Sequence, residues 1–111
     1  MKSVFSKIVD GELPCKKVLE NEHVIAFWDI HPQAPVHILI VPKKEYQDLQ
    51  DIPPKDLYIV AEVVKAAQKI AEDLNISHGY RLLTNCGPSA GQTVFHVHFH
   101  LIGGRDLEHL V

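Results

Sequence analysis

The stretch VFHVHFHLI at 94–102 constrains this chain more than any other. Its histidines alternate with apolar residues, and a β-strand sends successive side chains to opposite faces. The spacing predicts a strand over 94–102 with His96, His98 and His100 on one face and Val97, Phe99 and Leu101 on the other. Along such a strand each of the three histidines stands about 6.5–7 Å from the next. The apolar side packs into a core and anchors the strand, and the imidazoles are presented outward.

The rest of the chain supplies elements to cover that apolar face. SVFSKIVDG at 3–11 reads as a short helix, with Ser3 as its cap, Gly11 as its stop and Val4, Phe5, Ile8 and Val9 on one side. CKKVLE (15–20) and HVIAFWDI (23–30) read as strands joined by a tight turn at 21–22. HPQAP (31–35) carries two prolines and is a loop, and HILIVP (37–42) is the most buried-looking strand. Pro54 suits the first turn of one long helix over 54–74. Leu57, Val60, Ala61, Val64, Ala67, Ala71 and Leu74 give that helix an apolar stripe, and Asn75 ends it. YRLLTN (80–85) is a strand, CGPSAGQT (86–93) a glycine-bearing loop, and GGRDLEHLV (103–111) a tail. There is no internal repeat, low-complexity stretch or linker, so residues 1–111 read as one domain. The element order favours an α+β fold with a largely antiparallel sheet.

Charge and cysteine content narrow the function classes. A net charge of -3 and a pI near 6.2 give no electrostatic footprint for nucleic acid. The longest apolar run, ILIVP at 38–42, is far too short to span a bilayer. Lys7 and Asp10 interrupt the N-terminus before a signal-length apolar run forms. Cys15 and Cys86 are not spaced as a ligand pair and read as small buried hydrophobes in a reducing compartment. No nucleic acid, no membrane and a cytoplasmic location are expected.

Three chemistries compete for the alternating histidines. Eight of the 111 residues are histidine, so a histidine-rich polar face is the plain alternative. An HxH pair on a strand offers two imidazoles to zinc, with His100 or His37 as a third ligand. Parallel imidazoles on one strand diverge, however, and no Asp or Glu lies in the stretch to orient them. The third chemistry is nucleophilic attack on phosphorus by a neutral imidazole, kept neutral by crowding with like groups. It needs a cradle for phosphoryl oxygens, and the preceding loop offers backbone N–H groups at Gly87 and Gly91 and the hydroxyl of Thr93. A glycine loop running straight into alternating histidines favours phosphorus chemistry, with no metal and no cofactor expected. His37 opens another strand and reaches the same face if the two strands lie close. His31 reads as solvated, and His23, His78 and His109 carry no site signal.

GQTVFHVHFHLIGGR at 91–105 resembles the motif of the histidine triad (HIT) superfamily, and its trailing GGR is similar to the Hint branch of nucleotide-binding hydrolases. FSKIVDGELP (5–14), AFWDIHPQAPVHILIVPKK (26–44) and GYRLLTNCG (79–87) are similar to further segments of that family, in the same order.

The resemblance implies a HIT fold: a five-stranded, mostly antiparallel sheet with one short N-terminal and one long central helix. It implies a homodimer in which two sheets form one continuous ten-stranded sheet. It further implies metal-independent hydrolysis of purine nucleoside 5′-phosphoramidates to the nucleoside monophosphate and an amine. The nucleophile implied is His98, through a nucleotidyl-histidine intermediate. His96 is implied on the phosphate and leaving-group side, His100 on the phosphate oxygens, and His37 as the group that orients the nucleophile or relays a proton. Asn85, Gly91, Gln92, Thr93 and Val94 are implied around the phosphate, Asp29 on the ribose hydroxyls, and Phe5, Ile8, Phe27 and Ile30 around the base. Ser3 and Ser6 stand where some relatives carry a CxxC for a structural zinc, so that zinc is not expected. The tail after Arg105 is short beside those of relatives whose tails carry an aromatic residue across the dimer. A purine-nucleotide-binding module that serves partner interaction is the alternative of a different class.

Overall fold

In the computed structural model, which describes residues 2–109, the chain begins as its cap residue dictates. The Oγ of Ser3 accepts the Ser6 N–H at 2.9 Å and starts helix α1 (Val4–Val9). Asp10 caps its C-terminal end, and Gly11 follows in a left-handed conformation. Strands β1 (Lys17–Glu20), β2 (Val24–Trp28) and β3 (Val36–Pro42) follow, then helix α2 (Tyr58–Asp73), β4 (Tyr80–Leu83) and β5 (Phe99–Gly103). Single 3₁₀ turns occupy Leu49–Asp51, Pro54–Asp56 and Pro88–Ala90. The five strands form one sheet in the order β1-β2-β3-β5-β4, and every neighbouring pair is antiparallel. The fold is therefore α+β, with one short and one long helix, as the sequence indicates. No helix among the described residues is long and apolar enough to cross a membrane.

β3 lies at the centre of the sheet and is buried along its whole length. Its side chains divide between two cores. Val36, Ile38 and Ile40 join Val97, Phe99 and Leu101 against Val63, Ala67 and Ile70 of α2. Leu39 and Val41 face the other way and pack with Ile25, Phe27 and Phe5 of α1. This double coverage explains the unbroken apolar run that marked the strand in the sequence.

Two expectations need correction. The last strand spans Phe99–Gly103 rather than 94–102. Its ladder with β3 stops at the pair Ile40↔Phe99, because the groups beyond take other partners. The Pro42 carbonyl accepts the His96 ring N–H at 2.7 Å, the Val97 N–H donates to the Tyr46 carbonyl at 2.7 Å, and the His98 carbonyl accepts the Thr84 hydroxyl at 2.7 Å. The buried stripe of the long helix is also rotated from the one expected. Ile59, Val63, Ala66, Ala67, Ile70 and Ala71 are buried, whereas Leu57, Ala61 and Val64 are exposed. Apolar residues cover so much of this helix's circumference that periodicity alone does not choose which part meets the sheet.

The tail runs back along β4, where the Arg81 guanidinium donates to the carbonyls of Leu107 and Glu108. Met1 and the last two residues of the tail, Leu110 and Val111, lie outside the described residues.

Candidate active site

The register of β3 and β5 builds the site. Leu39 pairs with His100 and His37 with Ile102, so His37 and His100 stand diagonally on the α1 face of the sheet. Their rings are 5.2 Å apart between centroids, and those of His98 and His100 are also 5.2 Å apart. Phe5, brought by α1, meets the His98 ring edge-on at 4.9 Å. The face expected to look outward is thus roofed. His37 and His98 are buried, and His96 has no exposed surface at all.

Hydrogen bonds fix where each proton sits. The Gln33 backbone N–H donates to His37 Nδ1 at 3.0 Å, so that nitrogen is bare and the neutral ring carries its proton on Nε2. His37 Nε2–H then donates to His100 Nδ1 at 2.9 Å, which puts the His100 proton on Nε2 in turn. His98 Nδ1–H donates to the His96 carbonyl at 2.8 Å and leaves Nε2 as a bare lone pair. His96 Nε2–H donates to the Pro42 carbonyl, and its bare Nδ1 accepts the Ser3 hydroxyl at 2.7 Å. Glu45 completes this corner by accepting the Ser6 hydroxyl at 2.5 Å and the Ser3 N–H at 3.1 Å. Those two bonds hold its carboxyl below the usual carboxylate range.

Burial favours the neutral form of every one of these rings. It pushes His37, His96 and His98 below the ordinary imidazole value, against weaker opposition from the Pro42 carbonyl and Glu45 at His96, the His96 carbonyl and Asp29 at His98, and Asp29 at His37. His100 is pushed to about 4, first by burial and then by the neighbouring His98 and His37 rings. A neutral imidazole with a free Nε2 is a nucleophile, and an adjacent neutral imidazole with an Nε2–H is a donor.

Both rings line a cavity of about 500 Å³. Of the residues expected at the site, Phe5, Ile8, Phe27 and Ile30 form its apolar wall, and Ile30 is 86% exposed beside it. Asp29, His37, Thr93 and Val94 line it as well. Asp29 Oδ1 accepts the His31 N–H at 2.7 Å, which fixes the carboxylate, and its Oδ2 lies 3.4 Å from His37 Nε2.

Four expected residues do not line the cavity: His96, Asn85, Gly91 and Gln92. His96 is sealed behind Ser3 and Pro42, and its ring does not reach the cavity. The Gln92 side chain braces the loop, accepting the Gly87 N–H at 2.8 Å and donating to the carbonyls of Gln47 at 2.8 Å and Val94 at 3.0 Å. Gly91, at φ 95°, makes the left-handed turn on which that brace depends. The His37 ring bonds to His100 and not to His98.

The sequence marks Ser3 as a helix cap and Ser3 and Ser6 at the positions of a CxxC, but gives no sign that they meet Glu45 and His96. Thr84 carries no sequence signal; Cys15 and Cys86, expected to be buried, are half-buried, and Cys15 lines the cavity together with the exposed His31.

Asp29, His37 and His100 also have metal-like spacing, with ligand atoms all within 4.8 Å of one another. A carboxylate therefore does reach the histidines, from another strand. The donor set nevertheless fits a cation poorly. A metal on His37 Nε2 requires a proton on Nδ1, and the Gln33 N–H already points at that nitrogen.

Comparison with known proteins agrees with this geometry. The HIT domain model matches residues 10–107. A HIT-like protein of Chlamydia pneumoniae is 50% identical over 105 residues, covering 95% of this chain and 96% of its own. The solved structure of a HIT family hydrolase from Clostridium thermocellum superposes with a TM-score of 0.95 at 50% identity, covering 99% of this chain and 96% of its own. A histidine triad nucleotide-binding protein from Candida albicans superposes with a TM-score of 0.82 at 30% identity, covering 99% of this chain and 86% of its own.

Proposed function

This chain belongs to the HIT family, and from that premise we propose that it is a purine nucleoside phosphoramidase. Its substrate is a nucleoside 5′-phosphoramidate such as adenosine 5′-monophosphoramidate, and its products are the nucleoside monophosphate and an amine. The observation that carries this reading is the His98 ring. It is neutral, its Nδ1–H is tied to the His96 carbonyl, and its bare Nε2 is left to the cavity.

In the proposed reaction His98 Nε2 attacks phosphorus. The Nε2–P bond forms, the P–N bond breaks, and the nitrogen leaves as an amine after taking a proton from water at the cavity mouth. The positive charge that develops on the His98 ring is stabilised by its Nδ1–H bond to the His96 carbonyl. The hydroxide left by that proton transfer then adds to phosphorus, the Nε2–P bond breaks with its electron pair returning to Nε2, and the monophosphate departs. The Nε2–H of His100 and the Thr93 hydroxyl bind the phosphate oxygens. Asp29 accepts the ribose hydroxyls. Phe5, Ile8, Phe27 and Ile30 hold the base, which covers the exposed Ile30 side chain. Gln92 and Gly91 act one layer out, by shaping the loop that carries Thr93.

We further propose that two copies pair as a homodimer. The strip of Leu57, Ala61 and Val64 left exposed on α2 supports this, since a strip of that kind suits a second protein surface.

The test is release of AMP from adenosine 5′-monophosphoramidate, with mass spectrometry of the quenched enzyme for a nucleotidyl adduct on His98. Tight AMP binding with neither release nor adduct would return the cavity to a binding role.

A further inference from the structure

The GGR segment at 103–105 takes no part in the chemistry above. Gly104 adopts φ +91°, and a Cβ there would lie 3.0 Å from Pro35 Cβ and 3.3 Å from the Val36 nitrogen. Its backbone therefore lies directly on the 31–35 loop, in a conformation that side chains disfavour. The turn it makes sends Arg105 back over that loop, where Nη2 donates to the Gln33 carbonyl at 3.0 Å. The Gln33 side chain also donates to the His31 carbonyl at 3.2 Å. Held in this way, Gln33 turns its own N–H onto His37 Nδ1 at 3.0 Å.

We propose that Gly104 and Arg105 are positioning residues that set the tautomers of His37 and His100 by pressing the Gln33 backbone against His37. The consequences run in order along the hydrogen bonds. With the Gln33 N–H in place, His37 must carry its proton on Nε2, and His100 must carry its proton on Nε2 as well. If the loop lifts, His37 Nδ1 is free to take the proton. Nε2 then no longer donates to His100, and the His100 ring loses the partner that fixes its own proton. Asp29 favours the same His37 tautomer, but its carboxylate oxygen is 3.4 Å from Nε2, too far to hold it alone. The 31–35 loop is largely exposed; Asp29 holds its start through the His31 N–H, and Arg105 holds it at Gln33 from outside.

The effect on catalysis rests on the phosphoramidase reading, whereas the effect on the tautomers does not. The experiment is nitrogen-15 correlation spectroscopy of the histidine rings at mildly alkaline pH, in the wild type and in Arg105→Ala, Arg105→Lys and Gly104→Ala. The wild type is expected to show one tautomer each for His37 and His100, with bare Nδ1. Arg105→Ala and Gly104→Ala are expected to add the second tautomer at both rings, and Arg105→Lys, which keeps a donor for the Gln33 carbonyl, to restore the single form. In parallel, kcat for adenosine 5′-monophosphoramidate is expected to drop about tenfold in Arg105→Ala with KM little changed. Ring spectra unchanged in Arg105→Ala overturn the proposal, whatever turnover does. If the spectra respond as expected but the wild type releases no AMP, it is the phosphoramidase reading that fails and the tautomer device that stands.

Discussion

His98 gives its Nδ1–H to the carbonyl oxygen of His96 at 2.8 Å, so two histidines of one motif do unlike work. One presents a reactive nitrogen to a cavity. The other contributes its backbone to that task, while its ring is sealed between Pro42 and Ser3.

The difference is measurable by substitution. His98→Ala is expected to lower turnover by on the order of a thousandfold or more and to abolish the nucleotidyl adduct. His96→Ala is expected to cost stability first, about 2–4 kcal/mol, because it opens a cavity and strands two buried polar partners. Denaturant titration beside single-turnover kinetics separates the two effects. A His98→Ala protein of undiminished activity would falsify the assignment of the nucleophile.

Ser3 caps α1 and also satisfies His96 Nδ1. Ser3→Ala is expected to destabilise the fold by about 2 kcal/mol, the sum of a lost cap and an unsatisfied buried acceptor. A melting point unchanged from wild type would show that the His96 corner contributes nothing.

Gln92→Glu is expected to be worse than Gln92→Ala. Both lose the two bonds donated to Gln47 and Val94, but Glu also sets a carboxylate against those two carbonyls. The expected losses are about 2 kcal/mol for Ala and more for Glu, read by chemical denaturation. Equal stability of the two variants counts against the brace.

Acid is expected to unfold the protein earlier than its carboxylates alone would dictate. In the unfolded chain an imidazole takes up its proton below about 6.5, whereas native His100 resists until about 4. Between those values the unfolded state binds more protons, so stability rises with pH there. The contribution is complete above about 6.5 and is lost as pH falls towards 4. Melting temperatures across this window should fall steeply in the wild type and more gently in His100→Asn. Parallel curves would contradict the assigned burial.

Val64→Asp places a charge in the exposed strip of α2. Sedimentation is expected to find a dimer in the wild type and a monomer in the variant, with the α2 core intact by circular dichroism. A wild type that sediments as a monomer removes the dimer proposal.

Much of this was legible in the chain because strand alternation is a strong rule. It put His96, His98 and His100 apart from Val97, Phe99 and Leu101, and it brought His37 within reach of His100. What escaped has physical causes. The ladder ends at Phe99 because the Val97 N–H goes to Tyr46, the His98 carbonyl accepts from Thr84 and the Pro42 carbonyl of β3 accepts from the His96 ring, all pairs remote in sequence. The group that fixes the His37 tautomer is a backbone N–H, which leaves no mark in the amino-acid letters. Glu45 reaches the His96 corner across 51 positions of sequence, a contact no local window contains. The buried side of α2 was ambiguous because its apolar residues spread well past a single stripe.

β3 carries one further consequence. Val36, Ile38 and Ile40 belong to the layer under α2, while His37, Leu39 and Val41 belong to the layer that holds the chemistry. Two cores, one of them bordering the cavity, are thus written on alternate letters of a single seven-residue word. A saturation scan along it should lose folded protein at Val36, Ile38, Ile40 and the fully buried Val41, alter kinetics at His37, and do both at Leu39, which is core and cavity wall at once. Selection on the two traits therefore meets at Leu39 and separates at His37, although the residues that answer to each are immediate neighbours in the chain.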